Sequence, residues 1–455
     1  MRFETVSKSI FLALAASVMA GAASAQGSGV QLPPIRQLGA VTATATEQLG
    51  VVSGIRPLSD GRVMVNDATG RRVLLFDSTL TRFTVVADTT GATGNAYSGR
   101  LAGLIAYHGD STLFVDPQSL SMLVLDPAGK VARVMSVPNA QDAMALAGVL
   151  GSAGFDANGR LVYRGSPRFE MRAMRPAAGG PPPIPEMPDS APIFRVDLAT
   201  RKLDTLGYIK TPKIKMSVSQ DENGRIMMTS ELNPLPVVDE WAVLADGSVA
   251  FVRGRDYHVD WVRADGSRAS SPKIPFEWQR LTDEDKVAFI DSVKAARERM
   301  GANAPMVAAP GGAGNAAGAP PAAAGGEARV MIFGGGPPGG EAGGRRGAAG
   351  AAPGGAAFTP PKLNFVPPSE LPDYKPPFLA GFVRADGDGN VWIRTIPTRA
   401  IAGGPVYDVV NGKGELLERV QVPPGRMISG FGAGGVVYLT SREGLTMKLE
   451  KATLR

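Results

Sequence analysis

The 455 residues include no cysteine and only two histidines, His108 and His258, so much familiar chemistry is excluded at the start. Without thiols there is no disulfide, no thiolate nucleophile and no lipidation site behind a leader. The two histidines are far apart in sequence and neither belongs to an H-E-x-x-H pattern, which argues against a zinc centre. No G-x-S-x-G elbow occurs, and two isolated histidines make a poor basis for a Ser-His-Asp triad. The Gly tracts near Gly334 and Gly354 have no following Gly-Lys-Ser/Thr and no helix, so they do not read as phosphate loops. Basic residues are scattered with no Lys/Arg stripe, which excludes nucleic acid as the expected partner despite a net charge of +6.

Long apolar runs are also scarce. The longest lies at the start, where Arg2 and Lys8 precede an apolar stretch from Ile10 to Ala20 and then Ala23-Ser24-Ala25. That order is a secretory signal over residues 1–25, with cleavage before Gln26; a retained N-terminal anchor is the alternative. The expectation is a mature chain carrying +5, free in the periplasm or secreted, with no later membrane span.

Glycine and proline, at 57 and 37 residues, are abundant, and 44% of the chain is hydrophobic, enough for a substantial core. The clearest local pattern is Asp60–Asp77, DGRVMVNDATGRRVLLFD, which reads as two antiparallel strands joined by turns. Copies of it recur, each preceded by a small-Gly-apolar triplet: Ser53-Gly54-Ile55, Ala102-Gly103-Leu104, Ala153-Gly154-Phe155, Ala380-Gly381-Phe382 and Ser429-Gly430-Phe431. Successive glycines stand 49, 51 and, for the last pair, 49 residues apart. A further copy begins at Trp241, giving six.

A repeat near 50 residues built from short strands predicts an all-β, six-bladed β-propeller over residues 36–455. Each triplet is assigned to an inner strand, where a side chain at the glycine would clash. Val41 to Thr46 is expected to pair with the last blade and close the ring. Three stretches break the period. Met171 to Pro192 reads as a loop in the third blade. Lys213–Val218 and Ile226–Thr229, joined by Asp221-Glu222-Asn223-Gly224, form a hairpin that completes or decorates that blade or supplies most of a seventh, so seven blades is the alternative count. Between blades four and five lie a helix at 281–300, a disordered Gly/Ala/Pro-rich tract at 301–360, and an extended Pro367–Pro377. Thr282 caps that helix, and Phe289, Val293, Ala296 and Met300 form its stripe.

The pattern DGRVMVND followed by RRVLLFD resembles the NHL repeat family, and the chain after the leader is similar to exported propellers of the NHL/TolB-like type. The first copy matches best; later ones match in turns and apolar runs, and the motif's Arg is absent from most. The resemblance implies the fold, and it spans lactonases, lyases, binding modules and scaffolds.

Candidate chemistry is sparse. Asp67, Asp77, Asp116, Asp126 and Asp197 stand at strand ends, where carboxylates fix turns. Asp386-Gly387-Asp388-Gly389-Asn390 has a calcium-loop spacing but lacks the Gly and Glu that should follow, so it reads as a hairpin turn. In the fourth copy Asp239-Glu240-Trp241 replaces the triplet. Two carboxylates are therefore expected at the channel mouth, able to bind a divalent cation or to pair with Arg56 and Arg384 as a plug. The resulting reading is an extracytoplasmic binding or scaffold protein, monomeric, with no cofactor, taking a protein, peptide or glycan on one face. The alternative is a metal-dependent hydrolase or lyase of the lactonase-like propeller type with Asp239 and Glu240 as its metal ligands.

Overall fold

The computed structural model describes residues 31–90, 97, 102–149, 151–166, 188–220, 226–300, 307–308, 328–329, 362–398, 401–444 and 446–454. The leader at 1–25, most of Met171–Pro192, the turn at 221–224 and nearly all of the 301–360 tract lie outside these residues.

Among the described residues, six sheets contain four antiparallel strands, joined in chain order in the first five. Sheet one comprises Val52–Pro57, Val63–Asp67, Arg72–Phe76 and Phe83–Ala87. Sheet two comprises Gly103–Ala106, Thr112–Asp116, Ser121–Leu125 and Val131–Ser136. Sheet three is Gly154–Phe155, Leu161–Arg164, Ser190–Val196 and Leu203–Lys210, and sheet four is Glu240–Val243, Val249–Arg253, His258–Val262 and Arg268–Ser270. Sheet five holds Val383–Ala385, Val391–Arg394, Val406–Val410 and Leu416–Gln421, and sheet six Arg426–Gly432, Val436–Glu443 and Thr446–Thr453.

These strands bury both faces, and alternation decides which neighbour each side chain meets. Val63 and Val65 enter a cluster with Tyr438 and Leu449 of sheet six. Met64, between them, packs the other way against Phe114 and Leu125 of sheet two. Every gap between consecutive sheets is filled in this manner. Sheets two and three share Leu113, Val115, Leu161 and Tyr163; sheets three and four share Val162, Ile193, Trp241 and Phe251. Sheets four and five meet through Ala250, Trp261, Val391 and Ile393, and sheets five and six through Trp392, Val409, Val437 and Leu439. The chain of gaps returns to its start, and the molecule is an all-β propeller. No sheet could satisfy its apolar faces alone, so the ring is the unit that folds.

The N-terminal segment completes the ring. Val41–Thr44 pairs antiparallel with Thr446–Thr453, opposing Val41 to Ala452, and so supplies the fourth strand of sheet six. Just before it, Ile35–Gln37 adds a parallel fifth strand to the outer edge of sheet five. Arg36 fastens this junction, with Nε and Nη2 each 2.9 Å from a Glu418 oxygen and Nη1 2.5 Å from the Leu454 carbonyl.

Three expectations need correction. Ile214–Gln220 and Ile226–Leu232 do form a hairpin, but sheet three is already complete without it. The hairpin instead pairs in parallel with Lys362–Phe365, making a separate three-stranded sheet with no fourth strand among the described residues. Its partner strand is remote in sequence, beyond the reach of a local reading. Second, Gly381 is not in an inner strand; it sits in a turn at φ +81° ahead of Val383–Ala385, a backbone region that glycine enters without strain. Third, crowding does not explain every triplet. A Cβ on Gly103 would stand 2.5 Å from the Leu146 carbonyl oxygen, whereas one on Gly54 would meet nothing within 4 Å.

The helix Asp283–Met300 begins with a reciprocal cap: the Asp285 amide donates to Thr282 Oγ1 at 3.2 Å, and the Thr282 amide donates to Asp285 Oδ2 at 3.0 Å. Phe289 and Ile290 are buried against the cluster between sheets four and five, with Val293 partly so. Pro367–Pro377 is tied down along its length rather than lying loose. It contains a 3-10 turn at Pro368–Glu370, Glu370 pairs with Lys215 at 2.6 Å, and Asp373 accepts from the buried Lys286 ammonium at 2.8 Å.

Candidate functional site: the two ends of the channel

Each inner strand runs towards the turn that leads into the second strand of its sheet. The channel therefore has a turn end and an entry end, and the sequence candidates divide between them.

At the turn end, connections from sheets one, two, five and six converge on a cavity of about 470 Å³. Arg56, Ser59, Asp110, Asp388, Phe431 and Gly434 are among its lining residues. Asp110 is fixed by Ser59, whose amide donates to Oδ1 at 2.9 Å and whose hydroxyl donates to Oδ2 at 2.5 Å. These bonds, led by the hydroxyl, hold the Asp110 carboxyl below the usual range, with Arg56 adding to the effect. Arg56 spans the same two sheets, donating Nη2 to the Gly109 carbonyl at 3.0 Å and Nη1 to Pro57. Burial pulls its pKa down, Asp110 opposes that, and its Nε is buried without an acceptor among the described residues.

The calcium-like spacing of Asp386 to Asn390 also lies here, and its carboxylate is fully occupied. Asp386 accepts from the amides of Asp388 and Asn390 at 2.9 and 2.8 Å, from Asn390 Nδ2 at 3.0 Å, and from the Trp392 indole at 2.8 Å. It is a turn staple, as are the five strand-end aspartates. Asp67, for instance, takes amide bonds from Gly50 at 3.0 Å and Gly70 at 2.9 Å together with Arg72 Nε at 3.1 Å. Asp77, Asp116, Asp126 and Asp197 each accept backbone N–H groups in the same way.

At the entry end stands Glu240, the first residue of its strand. It is buried, and Oε1 accepts the Gly381 amide across the gap between sheets four and five at 2.7 Å. Burial raises its pKa, and the Gly381 amide, Arg164 and Arg384 oppose that rise. Arg384 lies beside it, donating Nη1 to the carbonyls of Gly381 at 3.1 Å and Val383 at 2.8 Å. Arg164 closes the group from sheet three, its own pKa lowered by burial and its Nε without an acceptor among the described residues.

Asp239 does not join this site. Successive strand residues face opposite ways, so its carboxylate turns to the Lys210 amide at 3.0 Å, Arg253 Nη1 at 2.8 Å and the Gly254 amide at 3.2 Å. Arg253 continues to Asp260 at 2.7 Å, and His258 lies between Asp256 at 2.8 Å and Asp260 at 3.2 Å. His258 thus belongs to a hydrogen-bonded ladder on sheet four. The expected pairing of both carboxylates with Arg56 and Arg384 does not form: Glu240 feels Arg384 only through its charge, Arg384 bonding to the Gly381 and Val383 carbonyls, while Arg56 is at the other end and Asp239 faces away. The donor set at the entry end does not suit a divalent cation. Such ions take several oxygen ligands, whereas Glu240 is surrounded by an amide N–H and two guanidinium groups.

Arg164 was not singled out from sequence. A signal exists: it follows the turn glycine Gly159 by five residues, as Arg394 follows Gly389. Both end an apolar second strand, and Arg394 is likewise half-buried, its guanidinium 4.5 Å from the Phe382 ring centre.

No protein-family model matches the sequence, and no curated protein matches it. Solved structures similar to it include a gluconolactonase of Xanthomonas campestris, at 10% identity and TM-score 0.37, with 92% of this chain and 97% of that chain covered. The calcium-binding protein regucalcin from Agrobacterium tumefaciens gives 10%, 0.38, 92% and 97%. A luciferin-regenerating enzyme gives 10%, 0.37, 90% and 92%. Superpositions this loose carry nothing about chemistry.

Proposed function

We propose that the chain is an exported, non-catalytic, six-bladed β-propeller that binds its ligand at the turn end of the channel. Six four-stranded sheets with six apolar gaps support the blade count, the Ile214–Leu232 hairpin standing apart from it. The observation that carries the binding reading is the cavity of about 470 Å³ built by turns of four sheets around Arg56. That volume is typical of small-ligand sites. A protein, peptide or glycan docks on this face of a monomer in the periplasm or outside the cell. The lactonase-like alternative requires a metal held by Asp239 and Glu240, which face apart, with guanidinium groups where further oxygen ligands would be needed.

The test is elemental analysis of the dialysed 26–455 chain, combined with capture of a partner or glycan from periplasmic extract. Substoichiometric metal and capture that is lost in Arg56→Ala but kept in Glu240→Ala are expected. Stoichiometric Ca, Mg, Mn or Zn that disappears in Glu240→Ala, together with lactone hydrolysis, would overturn the proposal.

A further inference from the structure

We infer that the turn-end pocket takes a neutral saccharide unit, held by Asp388 and Asp110 and stacked on Phe431. This rests on the pocket being the ligand site and adds the chemistry of what enters it.

The groups lining the cavity exclude simpler ligands in turn. An anion would meet three carboxylates, Asp110, Asp386 and Asp388, against one guanidinium. That guanidinium has both terminal nitrogens committed to the carbonyls of Pro57 and Gly109. A divalent cation needs several free carboxylate oxygens. Asp386 is saturated by four donors and both Asp110 oxygens are held by Ser59, which leaves Asp388 alone. A basic side chain would gain Asp388 and be repelled by the half-buried Arg56.

What remains is a free acceptor at Asp388, a fixed acceptor with spare lone pairs at Asp110, and the aromatic ring of Phe431. A sugar hydroxyl donates a hydrogen bond without carrying charge, so neighbouring hydroxyls satisfy both carboxylates and bring no charge against Arg56. The C–H face of a sugar ring carries partial positive charge that suits the negative face of a phenyl ring. Phe431 is braced for this: its centre is 5.0 Å from that of Trp392, whose indole N–H is anchored on Asp386 at 2.8 Å. The lining is also rich in glycine, at Gly432, Gly434 and Gly435, so no side chains fill the space beside the ring. The cavity is open to solvent, which lets a glycan continue beyond the bound unit.

Asp388 gives a clean test because its carboxylate is exposed and makes no hydrogen bond among the described residues. The 26–455 chain is screened on an array of neutral oligosaccharides, and hits are titrated by calorimetry against wild type, Asp388→Ala, Phe431→Leu and Glu240→Gln. The expected result is a saccharide whose dissociation constant rises at least tenfold in Asp388→Ala and in Phe431→Leu and is unchanged in Glu240→Gln. No glycan binding, with a protein partner still captured through Arg56, overturns the saccharide and leaves the pocket as the ligand site. Glycan binding that is equal in all variants overturns the assignment of the saccharide to this pocket. Loss of both glycan and Arg56-dependent capture removes the pocket reading as well.

Discussion

Asp408 is a residue whose protonation couples to folding. It is buried between sheets four and five, accepts the Tyr257 hydroxyl at 2.8 Å and Arg419 Nε at 3.3 Å, and burial pushes its pKa up to about 6. The folded value lies above the unfolded one, so the folded protein holds the extra proton between about pH 4 and pH 6. Stability from this group is therefore greatest at low pH and falls as the pH rises through that window, by on the order of 2–3 kcal/mol. In Asp408→Asn the penalty is absent. Urea titrations from pH 4 to 7 should show wild type losing stability relative to the variant as pH increases; parallel curves would show that the carboxyl does not titrate in this range. The residue scale also explains what sequence could and could not reveal of the site. Turn aspartates were legible because an aspartate beside a strand end has amides within reach whatever the tertiary fold. Asp239 and Glu240 were legible as an anomaly in the repeat but not as a divergent pair. Which of two adjacent residues faces the channel depends on where the strand begins, and the altered triplet concealed that point.

At the scale of the element, the inner strands share a position but not a physical environment. Gly103 runs against backbone, with the Leu146 carbonyl oxygen 2.5 Å and Ala147 Cα 2.8 Å from where a Cβ would sit, while Gly54 has open space. Gly103→Ala is expected to lower stability by about 2 kcal/mol, because neither neighbour can move without shifting its chain. Gly54→Ala should be within about 0.5 kcal/mol of wild type. Thermal unfolding of the two variants side by side checks this, and equal losses would mean that the glycine is needed for another reason. The repeated triplet thus located the inner strands except at Gly381, which lies in the turn ahead of its strand, and gave the wrong cause at Gly54. The Ile214–Leu232 hairpin was visible as two alternating runs, but its partner Lys362–Phe365 lies across the whole of sheet four and the helix. No local pattern specifies a parallel pairing over that separation.

For the whole molecule, the ring and its closing strand were legible because a period near 50 residues repeats regardless of what any one sheet binds. The turn-end pocket was not, since it is assembled from turns of four sheets separated by hundreds of residues. Closure concentrates risk at one place. Without residues 31–46 the strand Thr446–Thr453 would become an exposed edge of eight residues. Such edges recruit other chains. A chain beginning at residue 47 is therefore expected to associate with increasing concentration in light scattering and to be cut in sheet six by added protease. A monodisperse, protease-resistant product would show that closure is dispensable.

The way the two ends meet also fixes how the ring responds to tension. Val41 opposes Ala452 and Thr44 opposes Glu450, so the N-terminal and C-terminal tails leave the junction from the same end of the paired strands. Pulling on the two tails loads their backbone hydrogen bonds one after another, as a zipper opens, and not all at once in shear. Arg36, gripping Glu418 and the Leu454 carbonyl, is the first fastening that such a pull must release.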